Sequence, residues 1–274
     1  MRPAAARAAA TPARCSTLIC LRTPAEIEVM AEAGRLLTEV MGEMEAAVRP
    51  GATARELDHI AHEGIVSRGA KPAQLGYQGY PATICLSRNE VVVHGIPDSV
   101  PFREGDVVTA DFALIHRGYY ADMARTFMVG RVSDEARHLV QTTEEAFWKG
   151  LAEAQPGRRL GDVSAAVQRH IEGQGLWVVR EFVGHGIGTS FHEDPQVPNY
   201  GKAGRGPQLR PGMTFALEPM ASLRAGNASF LKDGWTATMG QGNLAAQYEN
   251  TIAITESGPR LLTGSLTPAA SGAA

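Results

Sequence analysis

The chain is poor in the features that mark several broad protein classes, and each shortage narrows what it can be. Among its 274 residues are three cysteines, Cys15, Cys20 and Cys85. Three thiols cannot all pair and their spacing matches no metal motif, which suits a reducing compartment better than a disulfide framework. No run of five or more basic residues occurs and the formal net charge is −3, which removes the electrostatic footprint of a nucleic-acid or anionic-membrane binder. No apolar run approaches the roughly 18 residues of a spanning helix. Acids are missing before Glu26, where MRPAAARAAATPARCSTLICLR is rich in Ala, Pro and Arg; its STLIC stretch is too short for a secretory signal. Residues 1–22 read as a disordered extension, with an organellar targeting segment as the alternative, and residues 263–274 as a disordered low-complexity tail.

What is present suits a folded body: 44% hydrophobic and 20% charged residues are ordinary for a chain with a sizeable core. Thr23-Pro24-Ala25-Glu26 combines a capping box with proline at the first helical position, and Ile27, Met30, Ala33, Leu37, Val40, Met44 and Val48 follow at steps of three and four. Pro50-Gly51 stops that helix, and Thr53-Ala54-Arg55-Glu56 opens a second with Leu57, Ile60, Ala61 and Ile65 on one face. Strand-like text follows in ATICLS, EVVVHGI and DVVTADFALI. The pattern then recurs. Ser133 to Ala154 predicts another long amphipathic helix, ended by Pro156-Gly157, 106 residues after Pro50-Gly51. EGDVVTAD (104–111) lies over PGMTFALE (211–218) at an offset of 107, so that Asp111 overlays Glu218.

The stretch DVVTADFALIHRGYYADMARTFMV (106–129) predicts a hairpin with one aspartate in each strand. A two-residue turn at Arg117-Gly118 puts Ala113 opposite Asp122 and Asp111 opposite Ala124. Because side chains alternate, Asp111 and Asp122 become diagonal neighbours on one face, with α-carbons roughly 7–8 Å apart. Walled by Val, Phe and Met, such a pair repels and resists desolvation unless it is protonated or neutralised by cations. Glu218 in MTFALEPM and Glu249 in LAAQYENTIAI are likewise lone charges in apolar strands. Four carboxylates carry about −4, which two divalent cations would balance at the roughly 3.5–4 Å spacing of two-metal sites. His185 in VGHGIG is the candidate imidazole, its flanking glycines expected to let backbone and ligand approach closely.

Asp111, Asp122, His185, Glu218 and Glu249, in that order and set within TADF, YYADMARTF, GHGIG, LEPM and QYENT, resemble the type I methionine aminopeptidases of the pita-bread metallopeptidase group. NEVVVHGIP, FHEDPQVPNY, LKDGWT and GYQGYP extend the resemblance over about residues 20 to 262. It implies an α/β (α+β) pita-bread (creatinase/aminopeptidase) fold, two pseudo-symmetric halves around a curved antiparallel sheet with helices outside, as a single catalytic domain over residues 23–262. It also implies two divalent metal ions (Co, Mn, Fe or Zn). Asp111 would bind one in bidentate fashion, Asp122 and Glu249 would bridge the pair, and His185 and Glu218 would complete the other shell. A metal-bridging hydroxide would attack the scissile carbonyl while Glu218 accepts and returns the proton. His94 in VVVHGIP and His192 in SFHEDP match the family's substrate-contacting histidines. Tyr77, Tyr80, Cys85, Phe191 and Trp235 match its methionine pocket, where rings and a thiol pack against a thioether.

The implied activity is removal of the N-terminal methionine from nascent polypeptides with a small, uncharged second residue, by a cytoplasmic monomer that meets its substrates at the ribosome. Asn250 and Gln78 stand where many type I sequences have His, and Gln74 where the family has a further cysteine. The type II subdomain has no room, since 33 residues separate His185 from Glu218. The alternatives are a proline-directed aminopeptidase of the same fold, which usually carries a whole N-terminal domain, and a non-catalytic binding module, which loses ligands.

Overall fold

Capping chemistry decides where the helices begin. In the computed structural model, which describes residues 19–264, helix α1 (Pro24–Ala47) starts at Thr23, whose hydroxyl accepts from Glu26 N while the Glu26 carboxylate accepts from Thr23 N. Helix α2 (Ala54–Ser67) repeats the device at Thr53 and Glu56, and α3 (Asp134–Glu153) starts at the Ser133 hydroxyl. Helix α4 (Leu160–Gly173) follows. A cap contributes about 1 kcal/mol, whereas burying one side chain such as Leu37 or Phe147 contributes about 1.5–3 kcal/mol. Packing therefore holds the helices and the caps set their ends.

A nine-stranded sheet forms from β1 (Lys71–Pro72), β2 (Cys85–Arg88), β3 (Val107–His116), β4 (Tyr119–Met128), β5 (Gly184–Gly186), β6 (Glu193–Val197), β7 (Thr214–Leu217), β8 (Glu249–Thr255) and β9 (Gly258–Leu261). Its order is β1-β3-β4-β8-β7-β5-β6, with β2 also on β3 and β9 on β8, and its pairs are antiparallel. The middle four strands, β3-β4-β8-β7, are related by a pseudo-twofold between β4 and β8. Helices α1 and α2 pack Leu37, Val40, Leu57 and Ile65 with Phe112 and Leu114, and α3 and α4 pack Phe147, Leu151, Val163 and Val167 with Phe215 and Ile252. The two halves expected from the repeat are present, each with its own core.

The hairpin adopts the expected register: Arg117 (φ 50°) and Gly118 (φ 85°) both take left-handed backbone, Ala113 pairs with Asp122, and Asp111 with Ala124. Two three-stranded sheets flank the large one, built from Trp177–Val178, Met220–Ser222 and Ala245–Gln247, and from Val91–Val93, Ser229–Phe230 and Ala237–Thr238. No helix among the described residues is long and apolar enough to cross a membrane.

Residues 1–18 and 265–274, within the expected extension and tail, lie outside the described residues. The described chain is anchored at both ends. Ile19 packs on the second core and Arg22 N donates to Gly212 O, while Thr263 Oγ donates to Asn250 Oδ1 and Gly264 N to Thr38 Oγ.

Two glycines of α1 separate propensity from packing. Alanine is worth up to about 1 kcal/mol over glycine inside a helix. Gly42 is exposed with open space around it, but a Cβ on Gly34 would overlap the Leu262 carbonyl. Gly42→Ala should raise stability by up to about 1 kcal/mol, and Gly34→Ala should lower it by about 1–3 kcal/mol. Urea unfolding of the two variants checks the opposite signs.

Candidate metal centre

Three strands lay acids in a row. Asp111 on β3 pairs with Ala124 on β4, and Ala124 pairs with Glu249 on β8. Asp122, two residues before Ala124, shares that face. Glu218 follows β7 directly, and the pairing of Leu217 with Asn250 brings it beside Glu249. His185 enters from β5: its Nδ1 lies 3.0 Å from Gly186 O, and as a donor there it leaves Nε2 facing Asp122 Oδ2 at 3.6 Å and Glu218 Oε1 at 3.8 Å. Ligand atoms of Asp122, His185 and Glu249 all lie within 4.8 Å of one another.

The glycines beside His185 act differently from the expectation. A Cβ on Gly184 would overlap Ala216 O, and one on Gly186 would overlap Asp194 O. They admit the neighbouring main chain instead of a ligand, because β5 is pressed between two strands.

The twelve site residues read from the sequence line one cavity of about 360 Å³. Tyr80 meets Trp235 edge-on at 5.1 Å, Tyr77 meets Phe191 at 5.1 Å, and the His94 ring lies between Phe182 (5.8 Å) and Trp235 (6.4 Å). The strand expected through EVVVHGI ends at Val93, because His94 turns into left-handed backbone (φ 60°), a conformation worth about 1–3 kcal/mol of strain that accumulates at functional sites. His192 stacks on Tyr77 with its Nδ1 3.0 Å from the Tyr77 hydroxyl, and its ring centroid is 4.1 Å from that of His185.

Charge dominates this cavity. Burial pushes the Asp111, Glu218 and Glu249 carboxyls well above the usual range, and their neighbours' negative charge pushes further in the same direction. Two like charges about 4 Å apart cost about 4 kcal/mol even at an effective dielectric of about 20. Glu249 Oε1 is buried without a hydrogen-bond partner. Arg125 is close but spends its guanidinium on Ala124 O, Glu249 O and Asn250 Oδ1, not on a carboxylate. This oxygen-rich set with one imidazole fits divalent first-row cations, which would fill the missing positive charge. Burial also lowers His94, lowers His192 to about 4 with help from His185, and pushes the Cys85 thiol up so that it stays protonated.

Sequence reasoning missed the amides that hold these acids. Gln247 Nε2 donates to Glu218 Oε2 at 3.1 Å, and Asn199 Nδ2 to Glu218 O at 2.9 Å. Gln74 accepts from Ala113 N at 2.8 Å and donates to Asp111 O at 3.1 Å and Asp111 Oδ1 at 3.4 Å. Gln247 could have been found, since it stands two residues before Glu249 on the same face of an extended chain. Asn199 carries no such signal.

Comparison with known proteins places this geometry. The pattern of metallopeptidase family M24 matches residues 28–256. A methionine aminopeptidase of Clostridium perfringens is 46% identical over 246 residues, covering 90% of this chain and 99% of that protein. The crystal structure of methionine aminopeptidase from Thermotoga maritima superposes with a TM-score of 0.89 at 42% identity, over 90% of this chain and 100% of that one. A prolidase from Pyrococcus furiosus superposes with a TM-score of 0.73 at 21% identity over 66% of its length, a likeness of fold alone. The shared architecture is the expected pita-bread fold.

The His192 shift gives a pH dependence. The folded imidazole titrates at about 4 against 6.5 when free, so the unfolded chain takes up its proton first as pH falls. Its contribution to stability is complete above about pH 6.5 and declines towards pH 4. His192 is exposed at the cavity mouth, where solvent screens much of the shift, so in chelator-treated protein the stability of the parent minus that of His192→Gln should fall by well under about 2 kcal/mol between about pH 7 and pH 5. Urea unfolding at both pH values measures it; an unchanged difference would mean that the ring titrates alike in both states.

Proposed function

The chain belongs to metallopeptidase family M24, and from that membership we propose that it is a methionine aminopeptidase with a two-metal centre. One observation carries the reading: four carboxylates and an imidazole converge in a cavity whose other wall is aromatic. Asp111, Asp122, His185, Glu218 and Glu249 would hold two divalent ions (Co, Mn, Fe or Zn). Once bound, the ions would neutralise the carboxylates and lower the pKa of a water held there towards neutrality.

The chain's own groups supply the remaining steps. Glu218, with Oε2 held by Gln247 and Oε1 towards His185, accepts the proton of the attacking water and returns it to the leaving amine. His192 is neutral near pH 7, and with its Nδ1 accepting from the Tyr77 hydroxyl it offers Nε2–H to the scissile carbonyl as negative charge develops. His94 gives a second polar contact. Tyr77, Tyr80, Cys85, Phe191 and Trp235 enclose the methionine side chain, with Cys85 as a neutral packing group. The free α-amine would be held at the metal-binding end of the cavity, so only the first residue is cleaved. The substrates are N-termini of nascent polypeptides, met at the ribosome by a cytoplasmic monomer. Nearly full-length overlap with methionine aminopeptidases, against 66% of the prolidase, favours this reading over a proline-directed one.

In the first test, Asp111→Asn abolishes hydrolysis and releases at least one ion, because an amide lacks the carboxylate's charge. The thermal readout is independent of activity. Mn²⁺ at 100-fold over its dissociation constant stabilises the chelated parent by about 2.7 kcal/mol and the variant clearly less. Equal stabilisation, with near-normal turnover, removes the site assignment. A second test compares Met-Gly, Met-Ala, Met-Val and Met-Lys tetrapeptides. A bulky second side chain displaces the carbonyl, and about 1 Å of misplacement costs on the order of 10²-fold, so Met-Lys should be slower than Met-Gly by roughly that factor. Equal rates, or preference for an Xaa-Pro peptide, overturn the substrate assignment.

A further inference from the structure

The loop that carries Phe191 and His192 is organised by one carboxylate. Glu193 Oε1 accepts from Thr189 N at 2.9 Å and from Ser190 N at 3.0 Å, with Thr189 Oγ at 3.4 Å. Its other oxygen accepts from Arg22 Nη2, a residue 171 positions away and one residue ahead of the Thr23 cap. The two side chains are only 8% and 10% exposed, unlike the surface pair of Arg131 and Glu104 at 93% and 50%; exposed pairs of that kind contribute little. Arg22 lies in a slot cut by two glycines. A Cβ on Gly188 would overlap the guanidinium, and one on Gly212 (φ 94°) would come within 2.9 Å of Arg22 O, while Arg22 N donates to Gly212 O at 2.7 Å.

The opposite side of this loop faces the cavity. Gly188 O accepts from Tyr120 N at 2.8 Å, Phe191 stacks on Tyr120 at 5.6 Å, and His192 lies against Tyr77 and His185. We propose that Arg22 is a positioning residue for the reaction: through Glu193 it holds the Thr189–Glu193 loop so that His192 and Phe191 meet the substrate, tying the segment before the first helix to the substrate end of the cavity. This rests on the role given to His192 above. Without the guanidinium the Glu193 carboxylate is left buried and unpaired, so it turns outward and releases two main-chain amides. The four carboxylate ligands stand on the middle four strands or directly after them and do not move with the loop, and His185 is kept on β5 by the pairing of Gly184 with Val197 and of Gly186 with Phe215.

Steady-state hydrolysis of Met-Gly-Met by the metal-loaded full chain tests the proposal in Arg22→Ala, Arg22→Lys, Glu193→Gln and the Arg22→Ala/Glu193→Gln double variant. The expected result is a fall in kcat of about 10- to 100-fold for Arg22→Ala, with KM changed less than kcat and metal content unchanged. Arg22→Lys should recover most of the loss, and the double variant should be no worse than the worse single one, since the two residues act as a unit. Gly188→Ala should reproduce the loss in the parent and add nothing in Arg22→Ala, where the space is open. Hydrogen exchange of the Thr189 and Ser190 amides, faster in Arg22→Ala while the central strands stay protected, reads the positioning without catalysis. A lowered Tm with kcat per folded molecule unchanged overturns the proposal, as does unchanged exchange at both amides. If the parent itself releases no methionine, the proposed function falls and the exchange result alone decides whether Arg22 holds the loop.

Discussion

Four carboxylates that repel one another in a cavity of low dielectric are the constraint around which the molecule is built. Each comes from a different strand or strand end among the middle four of the sheet, so no local change of conformation lets them separate. Asp122, Glu218 and Glu249 are buried and Asp111 opens towards the cavity. The cost is offset elsewhere, in two apolar cores under two helix pairs. The same unbalanced charge that weakens the bare protein is what makes the site receptive to divalent cations.

Between β4 and β8, where the pseudo-twofold passes, main-chain pairing covers Glu249 and Asn250 only. Side chains carry the seam beyond that point. The Thr251 hydroxyl accepts from Asp122 N at 2.9 Å and donates to Asp122 O at 3.0 Å. Arg125, stacked over the Tyr248 ring at 3.9 Å, joins Ala124 O to Glu249 O. Asn250, a departure from many type I sequences, takes part here: Oδ1 accepts from Arg125 at 2.8 Å and from Thr263 Oγ at 3.0 Å. The Gln74 departure has a comparable reason. β1 pairs with Leu114 and Ile115 and β2 with Val108 to Asp111, and the Gln74 amide satisfies the intervening edge of β3. Gln78, with left-handed backbone at φ 48°, lines the cavity without a comparable explanation in the structure.

The helices were legible because their signals are local: a capping residue, a glutamate three positions on, and apolar residues at helical spacing all act within one or two turns. The hairpin register was legible for the same reason, since Arg117-Gly118 sets the pairing of every residue in β3 and β4. Legibility failed where a side chain bonds across the fold. Arg22 to Glu193, Gln74 to β3, Gln247 to Glu218 and Thr263 to Asn250 each join residues far apart in sequence, and none alters local periodicity. His94 shows a limit of another kind: VVVHG reads as one strand, yet the Val93–His94 step breaks it because the ring is needed against Phe182 and Trp235.

By itself the sequence determined where α1, α2 and α3 begin, the duplicated halves, and the placing of lone acids in apolar strands, because capping acts within one turn and alternation along a strand decides which side chains share a face. Only the tertiary structure decided that Asp111, Asp122, Glu218 and Glu249 share one cavity with His185, that the glycines beside His185 admit neighbouring strands, and that the residue before the first cap reaches the His192 loop. The physical reason is distance. Pairing within a hairpin is set by its turn, whereas the approach of β8 to β4, or of Arg22 to Glu193, is set by the packing of whole halves and leaves no mark on neighbouring residues.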